Sequence, residues 1–375
     1  MDKNISVIFS TGDVCNLRCR YCYVRGENSD NFNDSNAIMS LGTVEKALIL
    51  MKDINGDRNK YIHFSYHGGE PLILGPEFFK SCYSLQKKIF KGFFIDNSIQ
   101  TNGVLLDDNY ISLAKDLRFS YGISLDGPKD VNDTNRFGIY KNSVFDKIMK
   151  NLNMLQNNNI PFGILSVVTK ELLGKQKELI SFLIDNHIER IAFNPCVTDH
   201  LFTTFEYTIT PYEYGKFLVD LFHEWTLVDN STLIINNFFY PMRNIMGSTD
   251  NVCKFSDTCI GYTYTVYPDG DIYVCPCIKQ DEYRLGNIID SRSQLMSKEK
   301  ELKRIAHISE ECQSCLYYKL CYGGCIYERT VKHRDLQPRY YYCESYKMLF
   351  SAISGYINHY ISTPSLSLEE VWNQR

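Results

Sequence analysis

A chain of 375 residues is long enough for a sizeable core and for more than one domain, and its formal charge of −4 comes with no long basic block. That balance excludes phosphate-backbone binding and an anionic membrane surface as expectations, and no stretch approaches a spanning helix, which needs about 20 apolar residues. Small molecules or proteins are the expected partners, and the start of the chain lacks the basic and long apolar regions of a signal peptide, so a soluble cytoplasmic protein is expected.

Apolar, β-rich runs predict strands at Ile5–Ser10, Tyr61–Tyr66, Phe93–Gln100, Phe119–Leu125, Phe162–Val168 and Arg190–Asn194. Helical periodicity fills the gaps at Thr43–Met51, Glu77–Phe90, Asp107–Asp116, Ser143–Gln156 and Lys175–Asn186. Strands alternating with helices argue for an α/β fold with a parallel sheet and helices outside. The strands are too few to close a TIM barrel, so the expected architecture is an open, partial (βα)6 TIM-like barrel. A further helix is predicted at Pro211–Leu227, followed by a cysteine-rich region that contains a strand-turn-strand at Tyr262–Val274 with Pro-Asp-Gly at its tip. The expected organisation is a barrel with a bridging helix over residues 1–235, a small cysteine-rich domain over 236–345 and a helical tail over 346–375.

Fourteen cysteines in a chain without an export signal point to metal ligation or catalysis rather than disulfides. Cys15, Cys19 and Cys22, spaced CxxxCxxC directly after the first strand, suit three irons of a [4Fe-4S] cube and leave the fourth iron open. A zinc knuckle is the alternative, but it needs a fourth ligand, and His63 and His67 lie too far along the chain for spacing alone to assign them. Ten cysteines fall between Cys196 and Cys343. Of these, Cys253, Cys259, Cys275, Cys312, Cys315, Cys321, Cys325 and Cys343 are enough for a pair of four-thiolate sites, of iron-sulfur or of zinc, with Cys196 and Cys277 left over. Cys196, after the sixth strand, would face the barrel mouth, and Cys82, on a helix face among Phe79, Tyr83 and Leu85, reads as a core residue.

The Cys15–Cys22 loop resembles the signature of the radical S-adenosylmethionine (radical SAM) enzymes. In that family the methionine moiety of S-adenosylmethionine chelates the open iron and a 5′-deoxyadenosyl radical is released; Tyr21 matches the aromatic residue that lies against the adenine. The segment from His67 through Gly68, Gly69 and Glu70 to Pro71 resembles the family's Gly-Gly-Glu motif, which implies that Gly68, Gly69 and Glu70 hold the methionine amino group. Ser124, ahead of Leu125, Asp126, Gly127 and Pro128, resembles the serine that bonds the ribose. Gln100 and Asn102, in a Gln-Thr-Asn-Gly stretch, match the peptide-modifying branch and are expected on the substrate side. Arg136 would hold a carboxylate through parallel hydrogen bonds; relatives usually carry histidine where Asn132 stands, which removes any acid or base role there. Each stretch also has a plain structural reading, as a glycine turn, an Asn-Gly turn, a strand terminator or a solvated arginine.

The later cysteines resemble the SPASM domain of radical SAM peptide and protein maturases, and the likeness to anaerobic sulfatase-maturating enzymes runs over nearly the whole chain. It implies three [4Fe-4S] clusters: one on the first loop, one auxiliary cluster held by Cys253, Cys259, Cys275 and Cys325, and one held by Cys312, Cys315, Cys321 and Cys343. Sulfatase maturases carry a catalytic aspartate immediately after the cysteine matching Cys275. Here the position is Pro276, which has no ionisable group, although Asp281 or Glu282 would be a displaced base. Cys277 would donate a hydrogen atom, bind substrate, or be inert.

The expectation is an oxidoreductase that modifies, by cross-linking, a residue of a ribosomally made peptide, with a flavodoxin- or ferredoxin-type electron donor. Relatives acting on such peptides often carry a leader-binding domain ahead of the first cysteine motif; only 14 residues precede Cys15, so a separate leader-binding protein, or no leader, is expected. A sulfatase maturase, a small-molecule radical dehydrogenase and a non-catalytic iron-sulfur electron carrier are the alternatives.

Overall fold

The computed structural model describes residues 4–24, 38–56, 60–196, 205–228, 232–248, 253–255, 259–306, 308–330 and 340–362. Its strands are β1 Ile5–Ser10, β2 Tyr61–His67, β3 Phe94–Thr101, β4 Phe119–Ser124, β5 Phe162–Val168, β6 Arg190–Pro195, β7 Ile234–Ile235, β8 Thr263–Val266, β9 Asp271–Tyr273 and β10 Arg284–Asn287. The expected strands are present to within a residue at each end. The α/β class with a parallel sheet holds. The chain divides into two compact units, the first made of Met1–Ser124, Asp133–Phe162 and Thr258–Ile305, the second of Leu125–Asn132, Gly163–Asp257 and Ala306–Arg375.

In the first unit β1 pairs in parallel with β2 and β8, β2 with β3, and β3 with β4, while β9 runs antiparallel between β8 and β10. The strand residues alternate cleanly. Val7 and Phe9 of β1, Phe64 and Tyr66 of β2, Ile99 of β3 and Tyr121 and Ile123 of β4 point into an apolar layer and are almost wholly buried. There Phe79, from the helix Pro76–Ile89, meets Tyr66 edge-on at 5.1 Å between centroids and Phe119 at 6.2 Å. Such aromatic pairs add about 0.5–1.5 kcal/mol to the burial itself. The Tyr66 hydroxyl and Asn97 are buried in the same layer and are satisfied by Gln86, whose amide donates to both at 3.0 Å. Cys82 is buried in this layer, and burial pushes its thiol up to about 12.

The opposite strand face is polar and half-buried. Ser6, His63, Ser65, Ser98, Gln100, Ser120 and Ser124 lie on it. They bond across the strands: Ser98 Oγ donates to Ser65 Oγ at 3.1 Å, and His63 lies 3.0 Å from Ser98 Oγ and 3.2 Å from Ser6 Oγ. Because β1 to β4 are parallel, the loops after β1, β2 and β3 leave from one edge, beside this polar face.

In the second unit β6 pairs in parallel with β5 and β7. The helix Pro211–Thr226 opens with a capping box between Thr210 and Glu213 and a proline in its first turn, the arrangement that satisfies orphan N–H groups and fixes the entry dihedral. It packs against the C-terminal helix Cys343–Ser362. Tyr214 meets Tyr342 and Tyr346 edge-on at 5.4 and 6.0 Å, and Gly215 brings the backbones together, since a Cβ there would fall 2.7 Å from Ser345 Cα. Among the described residues no helix is long and apolar enough to cross a membrane.

Glycine to alanine inside a helix ordinarily stabilises by about 1 kcal/mol. Here the sign reverses: Gly215→Ala is expected to cost about 1–3 kcal/mol, read as a lower denaturant midpoint.

Candidate functional site

The loop after β1 carries Cys15, Cys19 and Cys22, and the first unit holds it on several sides. Thr11 N–H donates to the His67 carbonyl at 2.6 Å, Gly69 N–H to the Gly12 carbonyl at 2.7 Å and Glu70 N–H to the Val14 carbonyl at 2.8 Å. The Gly-Gly pair is what permits this approach: a Cβ on Gly69 would meet the Val14 carbonyl oxygen at 2.2 Å, and one on Gly68, where φ is +129°, would meet Gly12 O at 2.7 Å. Further along, Arg18 N–H and Arg20 N–H donate to the carbonyls of Phe137 and Asn135 at 2.8 and 3.0 Å. Arg20 Nε donates to Asn135 Oδ1 at 3.0 Å, and Arg136 Nη1 donates to the Tyr21 hydroxyl at 2.6 Å. Arg136 is thus buried and fixed on the aromatic residue of the cysteine loop rather than solvated.

Glu70 is 2% exposed and its carboxylate accepts three hydrogen bonds, from Leu72 N–H at 3.0 Å, Thr101 Oγ1 at 2.6 Å and Asn102 N–H at 2.8 Å. Burial raises its pKa, while those hydrogen bonds and the Arg136 charge oppose the rise. It joins the ends of β2 and β3. Asn102 Nδ2 in turn lies 2.7 Å from Asn16 Oδ1 and 3.8 Å from Cys15 Sγ. Gln100 Nε2 donates to Ser124 Oγ at 3.1 Å on the polar face, above Gly122, where any Cβ would strike Gln100 Oε1 at 2.1 Å. Asn16, Thr101, Gly122 and Asn135 were not singled out from sequence. An isolated glycine inside a strand is the one signal that would have marked a close approach.

Cys275 and Cys277 follow β9 in the same unit. Cys277 N–H donates to Cys275 Sγ at 3.5 Å, and the Tyr267 hydroxyl donates to the Pro276 carbonyl at 3.1 Å, pinning the turn. The Cys275 thiol is raised well above its ordinary value by its hydrogen bond to the Cys277 thiol and by burial. Tyr23, just past Cys22, keeps part of its ring in solvent. Its hydroxyl is pushed up by burial and by Cys277, Cys275, Tyr267 and Cys22. Cys259 also belongs to this unit.

In the second unit Cys312, Cys315, Cys321 and Cys343 line one cavity with Tyr317, Tyr340, Tyr346 and Phe350. Burial, and then Cys343, Cys312 and Cys315, push the Cys321 thiol up to about 12. Gly324, with φ of +77°, admits the Tyr340 ring, 2.3 Å from where a Cβ would stand. Cys253 and Cys325 are in this unit too. Between them in the sequence, Lys254 forms a buried ion pair with Glu328 at 3.0 Å, and Glu328 also accepts from the Tyr340 hydroxyl. Cys196 is buried, and Asn132 Oδ1 accepts from Asp126 N–H at 3.4 Å while Asp126 Oδ1 accepts from Val167 N–H at 3.1 Å, a structural use of both side chains. Among the described residues no three Cys, His, Asp or Glu side chains converge on one ion; a cluster asks for something else, since its thiolates are spread over separate irons.

A family model described as the radical SAM superfamily matches residues 9–183. The chain carries a radical SAM domain. The chain is 29% identical over 348 residues to a cysteine-type anaerobic sulfatase-maturating enzyme of Clostridium perfringens, covering 90% of this chain and 92% of that one. It is 28% identical over 369 residues to a serine-type enzyme of Bacteroides thetaiotaomicron, covering 92% and 88%. A solved structure of native anSMEcpe with AdoMet and the Cp18Cys peptide bound superimposes with a TM-score of 0.82 at 28% identity, covering 95% of this chain and 98% of that one. SuiB of Streptococcus suis bound to its precursor peptide SuiA shares the fold, with a TM-score of 0.63 at 16% identity, covering 92% and 76%. Cys15, Cys19 and Cys22 lie within the matched residues, on the loop after β1 that the close backbone cradle at Gly68 and Gly69 holds in place, and three thiols on one loop fit an iron-sulfur cluster with one iron left open.

Gly69→Ala should push the Val14 carbonyl and the cysteine loop apart, and anaerobic iron analysis should show less iron bound than in the parent enzyme. His67 gives a second test: burial lowers its ring to about 4, and Nδ1 accepts from Gly68 N–H at 2.8 Å. An unfolded histidine titrates near about 6.5, so the unfolded chain binds more protons between those values. Stability supported by neutral His67 is expected to be intact above about pH 6.5 and lost as pH falls toward about 4, with the slope absent in His67→Asn denaturation curves.

Proposed function

We propose that this radical SAM enzyme oxidises a residue of a peptide or protein, and that the product is a cross-link or a similar net oxidation rather than formylglycine. When bound, the first cluster and S-adenosylmethionine supply a 5′-deoxyadenosyl radical that removes a hydrogen atom from the substrate. Tyr21, Gly68, Gly69, Ser124 and Arg136 would hold S-adenosylmethionine, Glu70 would keep their frame rigid, and Gln100 would meet the substrate from the polar strand face. Two auxiliary clusters would sit on Cys253, Cys259, Cys275 and Cys325 and on Cys312, Cys315, Cys321 and Cys343, within a cysteine-rich domain over residues 236–345. They give the electron left on the substrate a place to go, while its proton leaves to solvent or to a basic side chain. The convergence of Cys312, Cys315, Cys321 and Cys343 on one cavity supports the second of these sets.

A peptide substrate is supported by similarity across nearly the whole chain to sulfatase maturases and by the peptide-bound structure it resembles. The observation that turns the reading away from formylglycine is Pro276. Its carbonyl is tied to Tyr267, and it offers no carboxylate where the maturases carry their base. Cys277, whose backbone N–H bonds Cys275 Sγ, is the thiol this turn offers at that end of β9, where it would donate a hydrogen atom, bind substrate or stay inert. A ferredoxin- or flavodoxin-type donor would reduce the first cluster.

The second reading is a sulfatase maturase with a displaced base, favoured by the 90% coverage of this chain in the match to the Clostridium perfringens enzyme. Asp281 and Glu282 are exposed, in a short turn after Cys277.

Anaerobic incubation with S-adenosylmethionine and peptides encoded beside the gene should give a product lacking a pair of hydrogen atoms, read by mass spectrometry. Formylglycine formed on a sulfatase peptide would replace this reading with the second. Cys15→Ala, Cys19→Ala and Cys22→Ala should each abolish 5′-deoxyadenosine formation while auxiliary iron stays bound; continued cleavage in the triple variant would contradict the cluster assignment.

A further inference from the structure

We propose that Asn102 is a positioning residue of the Cys15 centre: its side-chain amide donates a hydrogen bond to Cys15 Sγ and so sets how readily the cluster held there accepts an electron. The inference rests on Cys15, Cys19 and Cys22 being the ligands of that cluster.

Asn102 is 5% exposed and every part of it is spoken for. Its backbone N–H is fixed on Glu70 Oε2 at 2.8 Å, and its Oδ1 accepts from Val104 N–H at 3.0 Å. That last bond settles the amide orientation, because a backbone N–H must face the oxygen and not the NH2 group. Nδ2 therefore points at the cysteine loop, with one hydrogen for Asn16 Oδ1 at 2.7 Å and the other for Cys15 Sγ at 3.8 Å, a reach suited to a large sulfur acceptor. With both hydrogens and the carbonyl oxygen engaged, Asn102 has no donor left for a substrate, so the substrate-side expectation passes to Gln100 alone.

Cys15 Sγ also accepts from Leu17 N–H at 3.4 Å. A thiolate bound to iron gains negative charge when the cluster is reduced, and hydrogen bonds to such sulfurs favour the more negative state. Asn102 should therefore raise the potential of the cluster. The supporting shell is rigid: Gly103 N–H donates to Thr101 Oγ1 at 3.0 Å, and Asn151 Nδ2 donates to the Gly103 carbonyl at 2.7 Å.

The test uses the fully loaded enzyme. In Asn102→Leu, which keeps the size and removes the donor without adding charge, and in Asn102→Ala, the electron paramagnetic resonance component that shifts on adding S-adenosylmethionine is titrated against potential. The expected result is about tenfold less reduced cluster at a fixed potential, a fall of about 59 mV for one electron. An unchanged potential with full iron overturns the proposal. If neither variant keeps the cluster, the wild-type spectrum decides. Exchangeable-proton couplings from both Leu17 and Asn102, resolved by comparing water with deuterium oxide, support the bond, and a coupling from Leu17 alone overturns it. A wild-type enzyme with no component that responds to S-adenosylmethionine overturns the cluster assignment and this inference together.

Discussion

The first unit depends on one buried carboxylate. Glu70 stands where β2 gives way to its loop, and it takes N–H and O–H donors from its own turn and from the end of β3. Without it, a buried hydroxyl and backbone N–H groups at the strand ends would lose their acceptor, and each such orphan costs about 1–3 kcal/mol. Its backbone N–H also reaches the Val14 carbonyl, so the same residue that knits two strands together holds the cysteine loop against them. A group whose sequence context suggests a ligand contact is, in the fold, the pin around which the ligand-bearing loop is set.

From that pin the rest of the arrangement follows. Parallel strands deliver their following loops to a common edge, apolar side chains pack toward the helices, and polar ones line the other face. On that face serines, His63 and Gln100 exchange hydrogen bonds strand to strand. Burying polar groups in this way is tolerable only when they satisfy one another or meet solvent. A site for a reactive radical needs that combination, a fixed polar lining backed by a layer that does not move.

The strands of the parallel sheet were legible because each is a short run rich in apolar and β-branched or aromatic residues, set off from helix-period segments. The helix Arg292–Ile305 was not, since Leu295, Glu299 and Leu302 are its only buried residues and its apolar stripe is too thin to stand out from a charged segment. The helix Asn236–Ile245 hides behind an internal Pro241, ordinarily a break. The crowding of the cysteines and the Gly-Gly-Glu stretch stood out in the sequence, but what Glu70, Asn102 and Arg136 touch did not. Their partners lie 31, 86 and 115 positions away along the chain, and no local pattern encodes such pairings.

Gly122 carries a consequence for the polar face. The absent side chain beneath Gln100 is the vacancy into which the amide folds, and filling it with a methyl group would evict the glutamine and break its hydrogen bond to Ser124. A lone hydrogen atom in place of a side chain thus decides where two neighbouring polar groups stand.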